Sequence, residues 1–434
     1  MPGSNDPLVS VIMPYYNGRK FVREAIQSVL SQTYTNIEII VVNDASPDKE
    51  DSEYIKELAD EFGFKLITHS KNEGIGRTLA DAFEASRGDF IAELSQDDLY
   101  KPKKIEKQIN ELTSKKLDVV YAAGDVLYQN IGKLESRSTA KTKKIIESGT
   151  AAEILKSQNL SSISIQGLLA KRCVFEKDIV PIWREYLLDD WPVNIRLFER
   201  YKVGFIEEPL WTGRSHTRNT SRNIWKWLGP QIEVVARMTP EHLKAEGIGN
   251  RLISMARRLH KQKGDKEDII CLAFAGLMLI DSPDQYKKGV RVLDKIPRRD
   301  KKAITSSKLR LLESARSPAQ QRNQPEGTGS IGWKDVGREI ASIVGSYQGS
   351  ERLQELGKVF SCLANNILLH NQSQDVAVKT ALAALMLISD RHDEIIAASL
   401  LRSVPIEDRN KLISRKKRIL RARSRPTLKS LFLK

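Results

Sequence analysis

The sequence predicts an α/β domain with a mostly parallel sheet, followed by an all-α half. Three observations carry this expectation. Short β-branched apolar runs alternate with helical patterns through the first two hundred residues. Strand signals fade after about residue 223, and the second half repeats itself at a fixed interval of 108 residues.

Taken in order, residues 8–13 (LVSVIM) and 37–42 (IEIIVV) are almost continuously apolar, which suits strands buried on both faces. Between them, Phe21, Ala25, Ile26, Val29 and Leu30 fall at helical spacing within residues 19–31. Further strands are expected at 64–68, 89–94 and 118–122, with helices at 51–62, 75–86 and 102–114. This βαβα rhythm implies a parallel sheet covered by helices. Ligands in such sheets bind beyond the carboxyl ends of the strands, so polar residues just after strands are the candidates for chemistry.

In the second half, Leu277-Met278-Leu279-Ile280 recurs as Leu385-Met386-Leu387-Ile388. In the same gapless register Trp225-Lys226 meets Trp333-Lys334, Gly229 meets Gly337, Gly249 meets Gly357 and Pro297 meets Pro405. Residues 222–317 and 330–425 are therefore expected to be two copies of one helical module. Residues 318–329 are polar and read as a linker, residues 1–221 as the α/β domain and residues 426–434 as a basic tail.

Composition narrows the function. The chain has 434 residues, 40% hydrophobic and 29% charged, a globular balance. Its formal charge of +15 suggests anionic company: nucleotide phosphates, nucleic acid or an acidic lipid surface. Three scattered cysteines, Cys173, Cys271 and Cys362, exclude a disulfide framework and fit a reducing cytosol. No basic segment followed by an apolar run opens the chain, so no secretory signal is expected. Nor does any segment reach the roughly 20 apolar residues that span a bilayer.

Four segments near strand ends carry candidate chemistry. Pro14-Tyr15-Tyr16-Asn17 offers rings that stack on a base or pack under a loop. Asp44 can accept a hydrogen bond from a nucleoside or cap a helix. In Glu93-Leu94-Ser95-Gln96-Asp97-Asp98, paired carboxylates form an oxygen-rich corner for Mg²⁺ or Mn²⁺, or Asp98 caps a helix. Asp189-Asp190-Trp191 supplies a general base beside an aromatic, or a capped helix. Arg214, His216 and Arg218 can face a diphosphate, or form a solvated basic loop.

The order of these segments resembles family 2 of the glycosyltransferases. The landmarks are VSVIMPYYN, QTYTNIEIIVVNDAS, the NEG of residues 72–74, RGDFIAELSQDDLYKP and LDDWPVNIRLFERYKVGFIEEPLWTGRSHTRNTS, over residues 7–221. The resemblance implies a GT-A fold and inverting transfer from a nucleotide-diphosphate sugar, usually a UDP-sugar. It implies base contacts from Pro14 and Tyr16, a hydrogen bond from Asp44, and donor contacts from Asn17, Arg77, Gln96, Asp97 and Arg214. Asp97 and His216 would hold Mn²⁺ or Mg²⁺, with Asp190 as catalytic base beside Asp189. One departure stands out: Ser95 replaces the usual first aspartate of the DxD signature.

The resemblance also implies a glycan or lipid-linked acceptor, cell-surface polysaccharide synthesis, and a cytoplasmic location, peripheral on the inner face of the membrane. Residues 409–434 lack acidic groups and read as a segment for an anionic membrane, ahead of an RNA-binding segment or a charged solvated helix. The helical modules are candidates for binding a partner enzyme. Processive synthases are disfavoured by the lack of QxxRW, and nucleic acid by the lack of RRM, KH or zinc signatures. The competing reading is a non-catalytic scaffold or RNA-binding protein.

Overall fold

A computed structural model describes residues 6–136, 139–157, 163–217, 223–314, 329–370 and 372–421. The chain divides into two compact units, residues 1–220 and 221–434.

The first unit is built on a nine-stranded sheet. Its strands are β1 (Val9–Tyr15), β2 (Ile37–Asn43), β3 (Lys65–Thr68), β4 (Phe90–Glu93), β5 (Leu99–Tyr100), β6 (Val119–Tyr128), β7 (Lys133–Ser136), β8 (Leu168–Lys171) and β9 (Val203–Ser215). They run in the order β3-β2-β1-β4-β8-β6-β9-β5, with β7 added beside β6. Strands β3, β2, β1 and β4 are parallel, as the βαβ rhythm requires. Beyond them the parallel expectation fails: β8 is antiparallel to both β4 and β6, and β5 and β7 are antiparallel too. These strands come from short or exposed segments that lack a buried apolar run, so sequence pattern hid them.

Helices α1 (Val22–Leu30), α2 (Lys49–Phe62), α3 (Ile75–Glu84) and α4 (Lys104–Ser114) alternate with the strands. Two short helices follow, α5 (Ala140–Glu147) and α6 (Ala151–Ser157). Then come α7 (Arg172–Val174), α8 (Val180–Glu185) and α9 (Trp191–Arg200). The core lies where β1, β2 and β4 meet α1, α2 and α4, through Val11, Met13, Ile26, Val41, Ile55, Ala92 and Ile105. Strand β6 pairs with β9 in parallel through bulges at Ala122–Gly124. Gly124 is required there, because a Cβ would sit 2.1 Å from the Trp211 ring. Trp211 Nε1 donates to the Ala122 carbonyl at 3.0 Å, which sets the line along which the end of β9 reaches β5.

The second unit is helical: α10 (Leu228–Met238), α11 (Glu241–Lys261), α12 (Lys266–Leu279), α13 (Pro283–Asp294), α14 (Arg298–Ser314), α15 (Val336–Ser346), α16 (Gly349–Leu369), α17 (Gln374–Leu387), α18 (Arg391–Arg402) and α19 (Ile406–Arg421). Helices α12 and α17 are buried all round, which explains their unbroken apolar runs.

Contacts between the halves of this unit are reciprocal at the 108-residue interval. Lys308 Nζ donates to the Ile388 carbonyl, and Lys416 Nζ to the Ile280 carbonyl at 2.6 Å. The Arg352 guanidinium lies 4.3 Å from the Trp225 ring centroid, and the Lys244 ammonium 5.3 Å from that of Trp333. Helices α10 and α15 cross at Gly229 and Gly337, each backbone against the other helix.

The basic segment 409–434 does not present all its charge outward. Arg409, Lys416 and Lys417 are buried, with Lys416 bonded to α12 and Lys417 to Glu313. Residues 422–434 and 318–328 lie outside the described residues.

The crossing glycines give a stability test. A Cβ on Gly229 would lie 2.4 Å from the Ala341 amide nitrogen, whereas one on Gly345 meets nothing within 4 Å. Gly229→Ala is expected to destabilise the helical unit by about 1–3 kcal/mol in urea unfolding. Gly345→Ala in the same assay should be neutral or stabilising by about 0.4–1 kcal/mol.

Candidate active site

The site begins where β1 and β2 end side by side. Pro14 does not end its strand: it pairs with Val42, and the strand runs one residue further to Tyr15. Tyr15 faces inward and donates to Asp51 Oδ2 at 2.6 Å. Burial and that carboxylate push its hydroxyl pKa up. Asp51 also accepts the Gly18 and Arg19 amides, both at 3.1 Å. One buried carboxylate thus folds the turn and leaves Tyr16 outward, 43% exposed, as the ring available for stacking. Asn17 adopts a left-handed conformation, φ 50°, with its amide on Ser46 Oγ at 3.0 Å.

Gln96 joins this turn to the loop after β4. Its Oε1 accepts the Tyr16 amide at 2.8 Å and its Nε2 donates to the Tyr16 carbonyl at 2.9 Å. A side chain on Gly18 would strike Gln96 Oε1, so glycine is needed there.

Asp44 does not cap α2; Asp48 does. Instead Asp44 Oδ1 accepts the Glu73 amide at 2.7 Å, and Oδ2 the Gly74 amide at 2.9 Å. His69 Nδ1 lies 2.9 Å from Oδ1. A carboxylate offers about four acceptor positions. Three are filled by the chain, which leaves room on Oδ2 for one ligand donor. The NEG motif is thus the strap that Asp44 holds. Arg77, in the first turn of α3, is exposed.

The end of β9 closes on the loop after β4. His216 Nε2 lies 2.9 Å from Asp97 Oδ2, and its ring packs on Phe21 at 4.6 Å between centroids. The Arg214 amide donates to Asp98 Oδ1 at 2.9 Å. Arg214 has its guanidinium turned away to Glu24 on α1, over the Phe21 ring, with its side chain 2% exposed. Its buried position makes it a brace between β9 and α1. Arg218 lies outside the described residues. Ser95 Oγ accepts from Gln166 Nε2 at 2.8 Å, so this hydroxyl ties the β4 loop to the turn before β8.

At the start of α9, Asp190 Oδ1 accepts the Trp191 amide at 2.5 Å, as an N-cap does. Trp191 is buried and donates to the Leu155 carbonyl at 2.7 Å. Its ring is therefore committed to the core and is no platform for a sugar. Burial and the adjoining Asp190 charge push the Asp189 carboxyl up to about 7.

Beneath this pair lies a residue that sequence reasoning passed over. Glu93 is fully buried, and neither carboxyl oxygen has a hydrogen-bond partner among the described residues. Burial pushes its pKa well up, and the charges of Asp189, Asp190 and Asp98 add to the shift. This mutual influence shows the end of β4 and the start of α9 in one neighbourhood. A lone glutamate in the apolar run FIAEL was the available signal.

Among the described residues, no three histidine, cysteine, aspartate or glutamate side chains are arranged to hold a metal by themselves. Asp97 with His216 gives one oxygen and one nitrogen. That pair suits a divalent cation only if diphosphate oxygens and water complete the shell.

Residues 10–169 match the family model described as Glycosyl transferase family 2. The matched stretch reaches from β1 into β8. An uncharacterized glycosyltransferase of Rickettsia typhi is 45% identical over 128 residues, 28% of this chain and 38% of that protein. One of Haemophilus influenzae is 33% identical over 142 residues, 32% of this chain and 56% of its own. This chain spans less than two thirds of the length of these relatives, and 18% of an uncharacterized glycosyltransferase of Rickettsia bellii. Among solved structures, S. aureus TarS 1–349 in complex with UDP-GlcNAc is similar at a TM-score of 0.46 and 16% identity, over 70% of this chain and 86% of that one. Asp189, Asp190, Arg214 and His216 lie beyond the part of the glycosyltransferase domain matched by the family model.

Glu93 gives this domain a pH signature. The unfolded glutamate ionises above about pH 4.3, whereas the folded one keeps its proton. The folded state then binds the extra proton, so stability falls as pH rises above that value. Glu93→Gln removes the effect. Its melting temperature should match the parent near pH 4 and exceed it increasingly toward pH 8. Parallel melting curves across that range would show that Glu93 is ionised in the fold.

Proposed function

We propose that the chain is an inverting glycosyltransferase that moves a sugar from a nucleotide-diphosphate sugar, a UDP-sugar by preference, to a hydroxyl of a glycan or lipid-linked acceptor. The observation that carries this is the contact between Asp97 and His216, 2.9 Å, in a unit that also sets Asp189 and Asp190 near the end of β4. A direct displacement at the anomeric carbon needs one base for the incoming hydroxyl and positive charge on the departing diphosphate. Asp190 is our candidate for the first, and a cation held by Asp97 and His216 for the second.

Tyr16 stacks on the base, and the remaining acceptor position of Asp44 takes one nucleoside N–H or hydroxyl. Asn17, Arg77 and Gln96 border the same edge. Asp97 and His216 are the residues that would hold Mn²⁺ or Mg²⁺; such an ion, when bound, stabilises charge on the diphosphate. Ser95, bonded to Gln166, keeps the loop shape without adding a further carboxylate beside Asp97 and Asp98. Asp190, fixed at the start of α9, accepts the acceptor's proton. Asp189 beside it titrates near neutrality and sets how easily the pair gives up charge.

This reading places the enzyme in cell-surface polysaccharide synthesis at the cytoplasmic face of a membrane. Among the described residues, no helix is long and apolar enough to cross one.

Release of UDP from UDP-sugars in Mn²⁺ tests the proposal. Asp97→Ala and Asp190→Asn should each lower turnover about 10²–10⁴-fold, the usual worth of such groups. Turnover should rise with pH through about 7 as the acid pair loses its last proton. Asp189→Asn should move that rise to lower pH, because the remaining carboxyl no longer faces a charged neighbour. A full-length protein that hydrolyses and transfers nothing, or variants with parental rates and pH profiles, would overturn the assignment in favour of a scaffold.

A further inference from the structure

The helical unit contains a groove that the transferase reading leaves unused. It lies between α11 and α13, encloses about 460 Å³ and is lined by Arg257, His260, Lys288, Arg291 and Lys295. That volume falls within the roughly 300–1,000 Å³ of small-molecule sites. Asp294 is the single acidic residue in the lining. Among the described residues, Arg257, Arg291 and Lys295 have no carboxylate within ion-pair distance, and Lys288 bonds only the neutral Gln285, at 2.9 Å. Other lysines of this unit do have carboxylate partners, as Lys379 has Asp281 and Asp375.

Like charges gathered in this way repel, and a fold keeps them apart unless something opposes it. Burial and the Arg257 charge push the Arg251 pKa down to about 10, and lower that of Arg258.

The second half of the unit supplies an internal control. Reciprocal contacts through Lys308 and Lys416, and through Trp225 and Trp333, put residues 108 apart in equivalent environments. At that interval Arg257, His260, Lys288, Arg291 and Lys295 become Asn365, Leu368, Ile396, Ser399 and Ser403. All five basic or titratable groups are lost together. Gly249 and Gly357, which hold the shared packing against Ile280 and Ile388, are kept. The helical architecture therefore does not need the basic residues, and their presence on one half alone is a property of that half.

We infer that the groove between α11 and α13 binds a soluble ligand bearing two or more phosphate groups. Two arginines offer planar donor pairs for phosphate oxygens, and two lysines add point charges along the same face. The size and the row of cations favour several linked phosphates over one. This site stands apart from the transferase reading, since none of its residues is placed in that chemistry.

Calorimetric titration of the full chain with inorganic tripolyphosphate tests it, in about 150 mM salt to screen diffuse attraction. EDTA removes metal-dependent binding at the transferase site. Arg257→Ala/Arg291→Ala should weaken binding at least tenfold while leaving UDP release from a UDP-sugar unchanged. Lys334→Ala/Lys411→Ala removes the same charge from exposed positions of the other half and should leave binding as it was. Equal weakening by both pairs would mean diffuse attraction and overturn the site, as would parental affinity in the first pair. Flotation with phosphatidylglycerol vesicles separates the source. Vesicle binding lost in the first pair, with no tripolyphosphate binding in the parent, would assign the groove to lipid headgroups instead.

Discussion

The first unit depends on one constraint: a carboxylate taken out of water must find donors, and here the donors come from distant loops. Asp51 gathers Tyr15, Gly18 and Arg19; Asp44 gathers His69, Glu73 and Gly74; Asp98 takes the Arg214 amide. Each bond ties the end of one strand to the loop of another. The carboxyl edge of the sheet is thereby fixed before any ligand arrives, and Asp97 is left facing His216. Glu93 is the exception. It is buried without a donor, and burial together with the charges of Asp189, Asp190 and Asp98 pushes its pKa well up.

Much of this was legible in the sequence, and the limits have physical reasons. Strands buried on both faces announce themselves by continuous apolar runs, so β1 and β2 were found. Strand β9 is half exposed and β8 is four residues long, so neither carries such a run, and the antiparallel part of the sheet was missed. The candidate residues could be named from the sequence, but their hydrogen-bond partners could not. Gln96 and Arg214 were assigned to the donor, yet the one clasps the Tyr16 backbone and the other braces α1. A side chain's bonding depends on what folding brings to it from 80 or 190 residues away, and no local pattern records that. Trp191 likewise was read only as an aromatic beside an acid pair, whereas its indole is buried and bonded to the Leu155 carbonyl.

The helical half follows a different logic. Its reciprocal lysine–carbonyl and cation–ring contacts amount to one set of interactions used twice. Close crossing of α10 and α15 demands glycine on both sides, which accounts for the kept pair Gly229 and Gly337. Positions outside this packing differ between the halves, as Arg257 and Asn365 do. The chain's excess of positive charge is likewise partly internal: Arg409, Lys416 and Lys417 are consumed by carbonyl and carboxylate partners within the unit.

The central claim is that Asp97 and His216 form the protein's share of a metal–diphosphate site. The most direct measurement is the electron paramagnetic resonance signal of free Mn²⁺ titrated with the protein, with and without UDP. The account predicts that the signal falls when UDP is present and persists when it is absent. It predicts further that Asp97→Ala abolishes the uptake and His216→Ala weakens it. Mn²⁺ uptake that ignores UDP, or that survives both substitutions unchanged, would contradict it.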